Sequence, residues 1–404
     1  MCRVVITGHG AVSALGLGSR VLWQNLREGR GGIRPLDHAD AGSLRVTVAA
    51  QVPDFDANVH FDDKLLPLLD RFTQFALLAA REAVAESAID FTTDGLGART
   101  AVVVGSAVGG ELSRDEQSRR LYADKSPRMH PLTIPRVMIN APASHISMEH
   151  GLTGPAFAVA SACASSNHAI AQAVLAIRCG LVDVAVAGGT EACFSLGNLR
   201  AWEAMRVLAE DTCRPFSRKR RGLVLAEGAA MFVLESLEHA RRRGATILAE
   251  LAGIGMSSDA ADIVAPSDVG AARSMRQALA DAGMDGAQID YVNAHGTGTQ
   301  ANDATETRAI RAVFGSHADR LAVSSTKSMH GHALGASGAL ELVAVIGALR
   351  DGIVPPTANY SEADPACDLD VVPNVARAMP VHAALSNSFA FGGLNSTLLV
   401  RRAP

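Results

Sequence analysis

Apolar and polar positions along the chain alternate between short β-rich runs and longer helical ones. Strand-like runs rich in Val, Ile, Leu and Ala fall near Arg3–Thr7, Thr100–Gly105, Val182–Ala187 and Ala229–Glu235. A second series lies near Ile247–Ala252, Ile289–Asn293, Leu321–Ser325, Val381–Ser386 and Thr397–Arg401. Strands interleaved with helices predict an α/β fold, and the two series read as two halves on a similar plan. Between them, Ser236-Leu-Glu-His-Ala-Arg-Arg-Arg-Gly-Ala245 reads as a charged helix end with a glycine stop, which divides the chain into 1–243 and 244–404. The segment from about Leu112 to Ile139 breaks the rhythm. Its charges and Pro127, Pro131 and Pro135 predict a cap that shapes a substrate channel.

An apolar stretch gives way to a helical pattern at Cys163, in Ala158-Val-Ala-Ser-Ala-Cys163-Ala-Ser-Ser-Asn-His168. Small neighbours leave the sulfur approachable, and Ile170, Val174 and Ile177 recur at helical spacing to bury the face behind it. This predicts a cysteine at a helix N-terminus, where unpaired N–H groups and the helix dipole favour the reactive thiolate. The competing reading is a small buried hydrophobe. Two further runs weigh against that: Asn293-Ala-His295-Gly-Thr297-Gly-Thr299 and Ser325-Thr-Lys327-Ser-Met-His-Gly-His332, each following a strand-like run. Glycines and hydroxyls at strand ends are where a rigid sheet presents polar groups to a ligand. One cysteine, two histidines and a lysine in such turns point to nucleophilic catalysis.

Composition narrows the classes. At 404 residues the chain supports a sizeable core and more than one domain. With 48% hydrophobic and 19% charged residues, it still has no apolar run long enough for a membrane span. The N-terminus enters a strand directly without the pattern of a secretory signal. Six cysteines without paired spacing suit a reducing cytoplasm. A net charge of −4 argues against bulk nucleic-acid binding. Gly8-His-Gly10-Ala-Val-Ser13 lacks the third glycine and the following acid of a dinucleotide loop. His330-Gly-His332 has no accompanying ligand set for zinc, so no metal is expected. His168, five residues after Cys163, projects away from the sulfur and is expected to be structural.

Taken together, Ser161-Ala-Cys163-Ala-Ser, Asn293-Ala-His295-Gly-Thr-Gly-Thr299, Ser325-Thr-Lys327-Ser-Met-His-Gly-His332 and Ser386-Asn-Ser-Phe-Ala-Phe-Gly-Gly393 resemble, in order and spacing, the four active-site blocks of the β-ketoacyl-acyl-carrier-protein synthases. The resemblance runs over essentially the whole chain and is nearest the decarboxylating Cys-His-His branch. It implies the thiolase-like fold, duplicated βαβαβαββ halves forming an αβαβα five-layer sandwich. It also implies a decarboxylative condensation of an acyl chain held on Cys163 with a malonyl thioester. His295 and His332 would stabilise the enolate, with Lys327 orienting them and Glu341, or as second choice Glu306, partnering the lysine. The backbone N–H groups of Cys163 and Phe391 would form the oxyanion hole. Thr297 and Thr299 would meet the pantetheine amides; Phe389 and Phe391 would border the substrate, the latter as a gate stiffened by Ala390. Val108 and Thr133 stand where relatives carry larger side chains, which would enlarge the acyl pocket. No cofactor is implied beyond the phosphopantetheine that arrives on an acyl carrier protein, which would dock at Arg206. A homodimer is implied, or a heterodimer with a chain-length-factor homologue. Motif details are similar to nodulation-protein-E-like specialised synthases. The alternatives are a chain-length-factor-like subunit, which would be expected to lack Cys163, and a non-decarboxylating thiolase, which would carry a second cysteine in place of His332.

Overall fold

The computed structural model describes residues 2–403. The first half supplies β1 (Val4–Ser13), β2 (Thr100–Gly105), β3 (Ala156–Val159), β4 (Val184–Glu191) and β5 (Gly228–Ser236). The second supplies β6 (Ala249–Ser258), β7 (Tyr291–Asn293), β8 (Ala322–Ser324), β9 (Ala383–Ala390) and β10 (Leu394–Arg402). They lie in the order β3-β2-β4-β5-β1-β6-β10-β9-β7-β8. Counted from its own first strand, each half has the order third, second, fourth, fifth, first. The pairing senses repeat too: β2 is parallel to β3 and β4, as β7 is to β8 and β9, and the remaining pairs within each half are antiparallel. The halves join where Val4–Ile6 of β1 pairs antiparallel with Ala249–Leu251 of β6.

Five helices pack on this frame: α1 (Arg71–Ser87), α2 (Ser165–Arg178), α3 (Asp268–Ala282), α4 (Gln300–Phe314) and α5 (Ser337–Asp351). Alternation along the strands sends successive side chains to opposite faces, so the part of the sheet in each half feeds two apolar layers. Ala101 and Val103 of β2 join a central layer with α2 and α5. Val102 and Val104 join an outer layer with Phe72 and Phe75 of α1. The other outer layer places Met275 of α3 and Ile310 of α4 against Val292 and Leu385. Helix, sheet, helix, sheet, helix are the five expected layers. The central helix α5 is buried from Ser337 to Leu349, as a helix covered on all sides must be.

Strand boundaries differ from the expectation in a systematic way. β1 continues through Gly8 and Gly10 instead of turning there. A Cβ on either glycine would stand 2.1 Å from the carbonyl oxygen of Ala83 or Ala79, so the glycines let α1 lie directly on the strand. β4 and β9 run on to Glu191 and Ala390, carrying buried polar residues past the apolar runs. The cap contains helices Glu111–Tyr122 and Thr133–Val137 and exposes Tyr122, Met129, Ile134 and Met138. Among the described residues, no helix is long and apolar enough to cross a membrane.

Candidate active site

Three of the four blocks sit where a parallel strand ends and the chain turns toward a helix; the fourth, Ser386–Gly393, spans the end of β9 and its turn into β10. β3 leads to a 3-10 turn, Ala162–Ala164, that precedes α2. Ala162 is held at φ 48°, a left-handed conformation costly for alanine. The turn is laced by Ser165, whose hydroxyl accepts the Ser161 N–H at 2.9 Å and donates to the Ala162 carbonyl at 2.7 Å. His168 Nδ1 meets the Ser161 hydroxyl at 2.7 Å and braces the same turn, the structural role expected of it.

Cys163 is 6% exposed at the floor of a cleft. Burial pushes its thiol up to about 12, against the opposing pull of the Lys327 charge and of the backbone N–H groups of Cys163 and Phe391. This corrects the expectation that the helix end would favour a resting thiolate: desolvation outweighs the dipole, and the resting group is a thiol. His332 Nε2 stands 3.2 Å from the sulfur, where it can receive that proton.

Lys327 is fully buried, holds His295 directly and acts on His332 through its charge. Its ammonium donates to the His295 carbonyl at 2.7 Å, to His295 Nδ1 at 3.4 Å, and to the Glu341 carboxylate. An ammonium can only donate, so His295 Nδ1 must accept and the ring proton lies on Nε2. His332 Nδ1 contacts the Ser337 hydroxyl at 2.8 Å, a partner that can serve either tautomer. The rings meet edge to face with centroids 5.4 Å apart. Burial and then the Lys327 charge hold both histidines well below the usual imidazole range, so both are neutral. Of the two carboxylates considered for Lys327, Glu341 meets it. Glu306 instead accepts the backbone N–H groups of His295 and Gly296, each at 2.8 Å, and fixes the loop.

The cleft above the sulfur is lined by Trp202, Thr297, Thr299, Phe389 and Phe391 among others. The Thr297 and Thr299 hydroxyls are 2.9 Å apart, and Thr299 also caps α4 by accepting the Asn302 N–H. The Phe389 ring lies 6.1 Å from His295, and Phe391 stacks on Trp202 at 6.1 Å. Val108 packs in the same apolar cluster as Cys163. Thr133 is not brought to this cleft; it starts a cap helix and donates its hydroxyl to the His130 carbonyl at 2.6 Å. Arg206 is exposed at the C-cap of helix Leu196–Met205, beside Val207 of the cleft wall. In the nearby basic run, Arg214 pairs with Asp211, and Arg218 and Lys219 pair with Glu362. Arg220 is buried on Asp364 and Asp303 and donates to the Thr299 carbonyl at 3.2 Å, so it clamps the Thr297–Thr299 loop instead of facing solvent. Arg206 and Arg221 have no ion pair among the described residues.

Three polar residues that the sequence reading passed over also shape the site. Ser337 orients His332. Asp303 accepts the Phe216 and Gly298 N–H groups at 2.7 and 3.2 Å. Glu191 ends β4 fully buried beside the nucleophile, with burial pushing its carboxyl up to about 7. The available signal for Asp303 was an acid in the first turn of a helix that follows the Gly-Thr-Gly-Thr run, and for Glu191 an acid closing an otherwise apolar strand.

Residues 1–240 match the family model for the beta-ketoacyl synthase N-terminal domain, and residues 248–361 that for the C-terminal domain. Nodulation protein E of Rhizobium sp. (strain N33) is 50% identical over 404 residues, covering 99% of both chains. The 3-oxoacyl-[acyl-carrier-protein] synthase 2 of Coxiella burnetii is 42% identical over 408 residues, covering 99% of this chain and 98% of that one. Among solved structures, the ishigamide ketosynthase/chain length factor superposes with a TM-score of 0.94 at 38% identity over 100% of both chains. A type II PKS acyl-carrier protein in complex with its ketosynthase gives a TM-score of 0.90 at 30% identity, again over 100% of both chains.

Proposed function

The chain belongs to the β-ketoacyl synthase family and is an enzyme of the acyltransferase class, and from that premise we propose how its residues divide the condensation. Cys163 attacks an acyl thioester carried by phosphopantetheine. Its proton passes to His332 Nε2 and then to the departing pantetheine thiolate, leaving the acyl chain on sulfur. A malonyl thioester then binds with its carbonyl oxygen toward His295 and His332. The bond to the carboxylate breaks, carbon dioxide leaves, and the electron pair forms an enolate that the two imidazoles stabilise. The enolate carbon attacks the acyl-Cys163 carbonyl, whose oxyanion lies toward the backbone N–H groups of Cys163 and Phe391. The carbon–sulfur bond breaks, and one proton from solvent restores the thiol.

The observation that carries this reading is a neutral imidazole 3.2 Å from the Cys163 sulfur and, edge to face with it in the same cleft, a second imidazole whose tautomer a buried lysine fixes. A chain-length-factor-like role would leave that constellation without a use. Intact-mass analysis of the protein incubated with acyl-carrier proteins tests it: Cys163→Ala is expected to form no acyl-enzyme, and an acylated Ala variant refutes the assignment.

The acyl and malonyl groups are proposed to arrive on an acyl carrier protein that docks at Arg206, with Thr297 and Thr299 meeting the pantetheine amides. A specialised acyl chain in place of bulk fatty-acid synthesis, and a cytoplasmic setting, are proposed alongside the similarity to nodulation protein E. A two-fold homodimer is proposed through the cap and the outer edge of β3. That strand has no neighbour on one side, and its Phe157 is 41% exposed, an edge that proteins normally cover. Thr133 would lie at the pocket end nearest that interface. A heterodimer with a chain-length-factor homologue would use the same surface.

A further inference from the structure

Glu191 is a buried carboxylate with no cation paired to it among the described residues. Its oxygens instead collect the Ala107 N–H at 2.7 Å, the Gly335 N–H at 3.0 Å, the Ser106 hydroxyl at 3.0 Å and the Val108 N–H at 3.3 Å. The first, third and fourth of these donors belong to the turn that follows β2 and carries Val108. The second belongs to the turn Leu334–Ala336, just beyond His332 in the other half. The two turns are pressed together at this point: a Cβ on Gly335 would lie 2.5 Å from the Ala107 nitrogen and 2.8 Å from the Glu191 carboxylate. Cys163, Val108 and Leu334 share the apolar cluster in front of the junction.

The four converging donors favour the ionised carboxylate against the burial that opposes it, since it offers several lone pairs and no donor, whereas an amide would set an N–H against one of them. We propose that Glu191 is a positioning residue that fixes the distance between the Val108 turn and the His332 turn across the nucleophile, and so sets the acyl-chain selectivity of Cys163. Short acyl groups need only the sulfur and the oxyanion donors, while long ones must pass the Val108 turn. The inference rests on the reading of Cys163 as the acyl carrier given above.

The test uses the full chain, with wild type, Glu191→Gln and Ser106→Ala each given short- and long-chain acyl-pantetheine thioesters, and Cys163 acylation followed by intact mass beside a melting curve. The ratio of long- to short-chain loading rates is expected to fall at least about tenfold in Glu191→Gln. Ser106→Ala, which keeps the carboxylate and removes one donor, is expected to shift it in the same direction by less. An unchanged ratio overturns the inference, as does an equal loss at every chain length, which is what a general weakening of the fold produces. If Glu191→Gln fails to fold, the Ser106→Ala ratio decides alone. Absence of loading in the wild type would instead defeat the reading of Cys163 itself, so the two failures are distinguishable.

Discussion

At the scale of single residues, the site runs on desolvation checked by one buried cation. Burial, and after it the Lys327 charge, keeps His295 and His332 from protonating, which leaves each able to donate from a neutral ring. Replacing Lys327 with Ala removes a cause that lowers both imidazoles, so both should gain protons at higher pH than in the wild type. The acid limb of malonyl decarboxylation, followed as carbon dioxide release against pH, is therefore expected to move to higher pH; a limb that stays put or moves down contradicts the assignment. His295→Ala deletes one enolate donor and should slow decarboxylation about 10²–10³-fold while largely sparing acylation of Cys163, which single-turnover loading would reveal. Normal condensation by that variant would remove His295 from the mechanism. The principal residues were legible because each block's turn chemistry is local. Glu191 was not, since its partners lie 84 and 144 residues away and only the fold brings them together.

Among the elements, the duplication explains why the residues meet. The turn bearing Cys163 and the turn bearing His332 follow the third strand of their respective halves and lead into the paired central helices α2 and α5. The turns bearing Val108 and His295 likewise follow the second strands. Hydrophobic runs mark most strands but stop short of their ends wherever polar residues continue inside, as at Thr190 and Glu191 or Asn387 and Ser388. Period-two burial cannot be inferred from a side chain whose burial depends on a distant donor. The apolar run likewise stops at Thr7, short of Gly8 and Gly10, since nothing local announces that α1 will press on them. Gly10→Ala should therefore cost ~1–3 kcal/mol of stability by overpacking, measured as a lowered denaturation midpoint, with turnover per folded molecule unchanged. Unaltered stability would mean that α1 can step away from β1.

For the whole molecule, net charge hides a local asymmetry. The chain is acidic overall, yet Arg45, Arg206 and Arg221 line one hollow near the cleft mouth, outnumbering Glu203, which is held by Arg200, and Glu210 on the same wall. Attraction between that surface and an acidic carrier should speed encounter and weaken with salt. Arg206→Glu is expected to raise the KM for carrier-bound substrate several-fold, with the effect shrinking at high ionic strength, while small pantetheine thioesters turn over almost normally. Equal losses with both substrate types would rule out docking there.

The layered repeat also has a consequence in time. The inner face of α2, with Ala169, Ile170, Ala173 and Val174, is covered by α5, which lies roughly 160 residues later in the chain. At about 5–20 residues per second, a nascent chain carries that apolar face uncovered for roughly 8–30 s before its mate is synthesised. Newly made enzyme therefore depends on whatever shields such a face on the ribosome, and a chain truncated before α5 would be a substrate for chaperones and proteases instead of a half-enzyme.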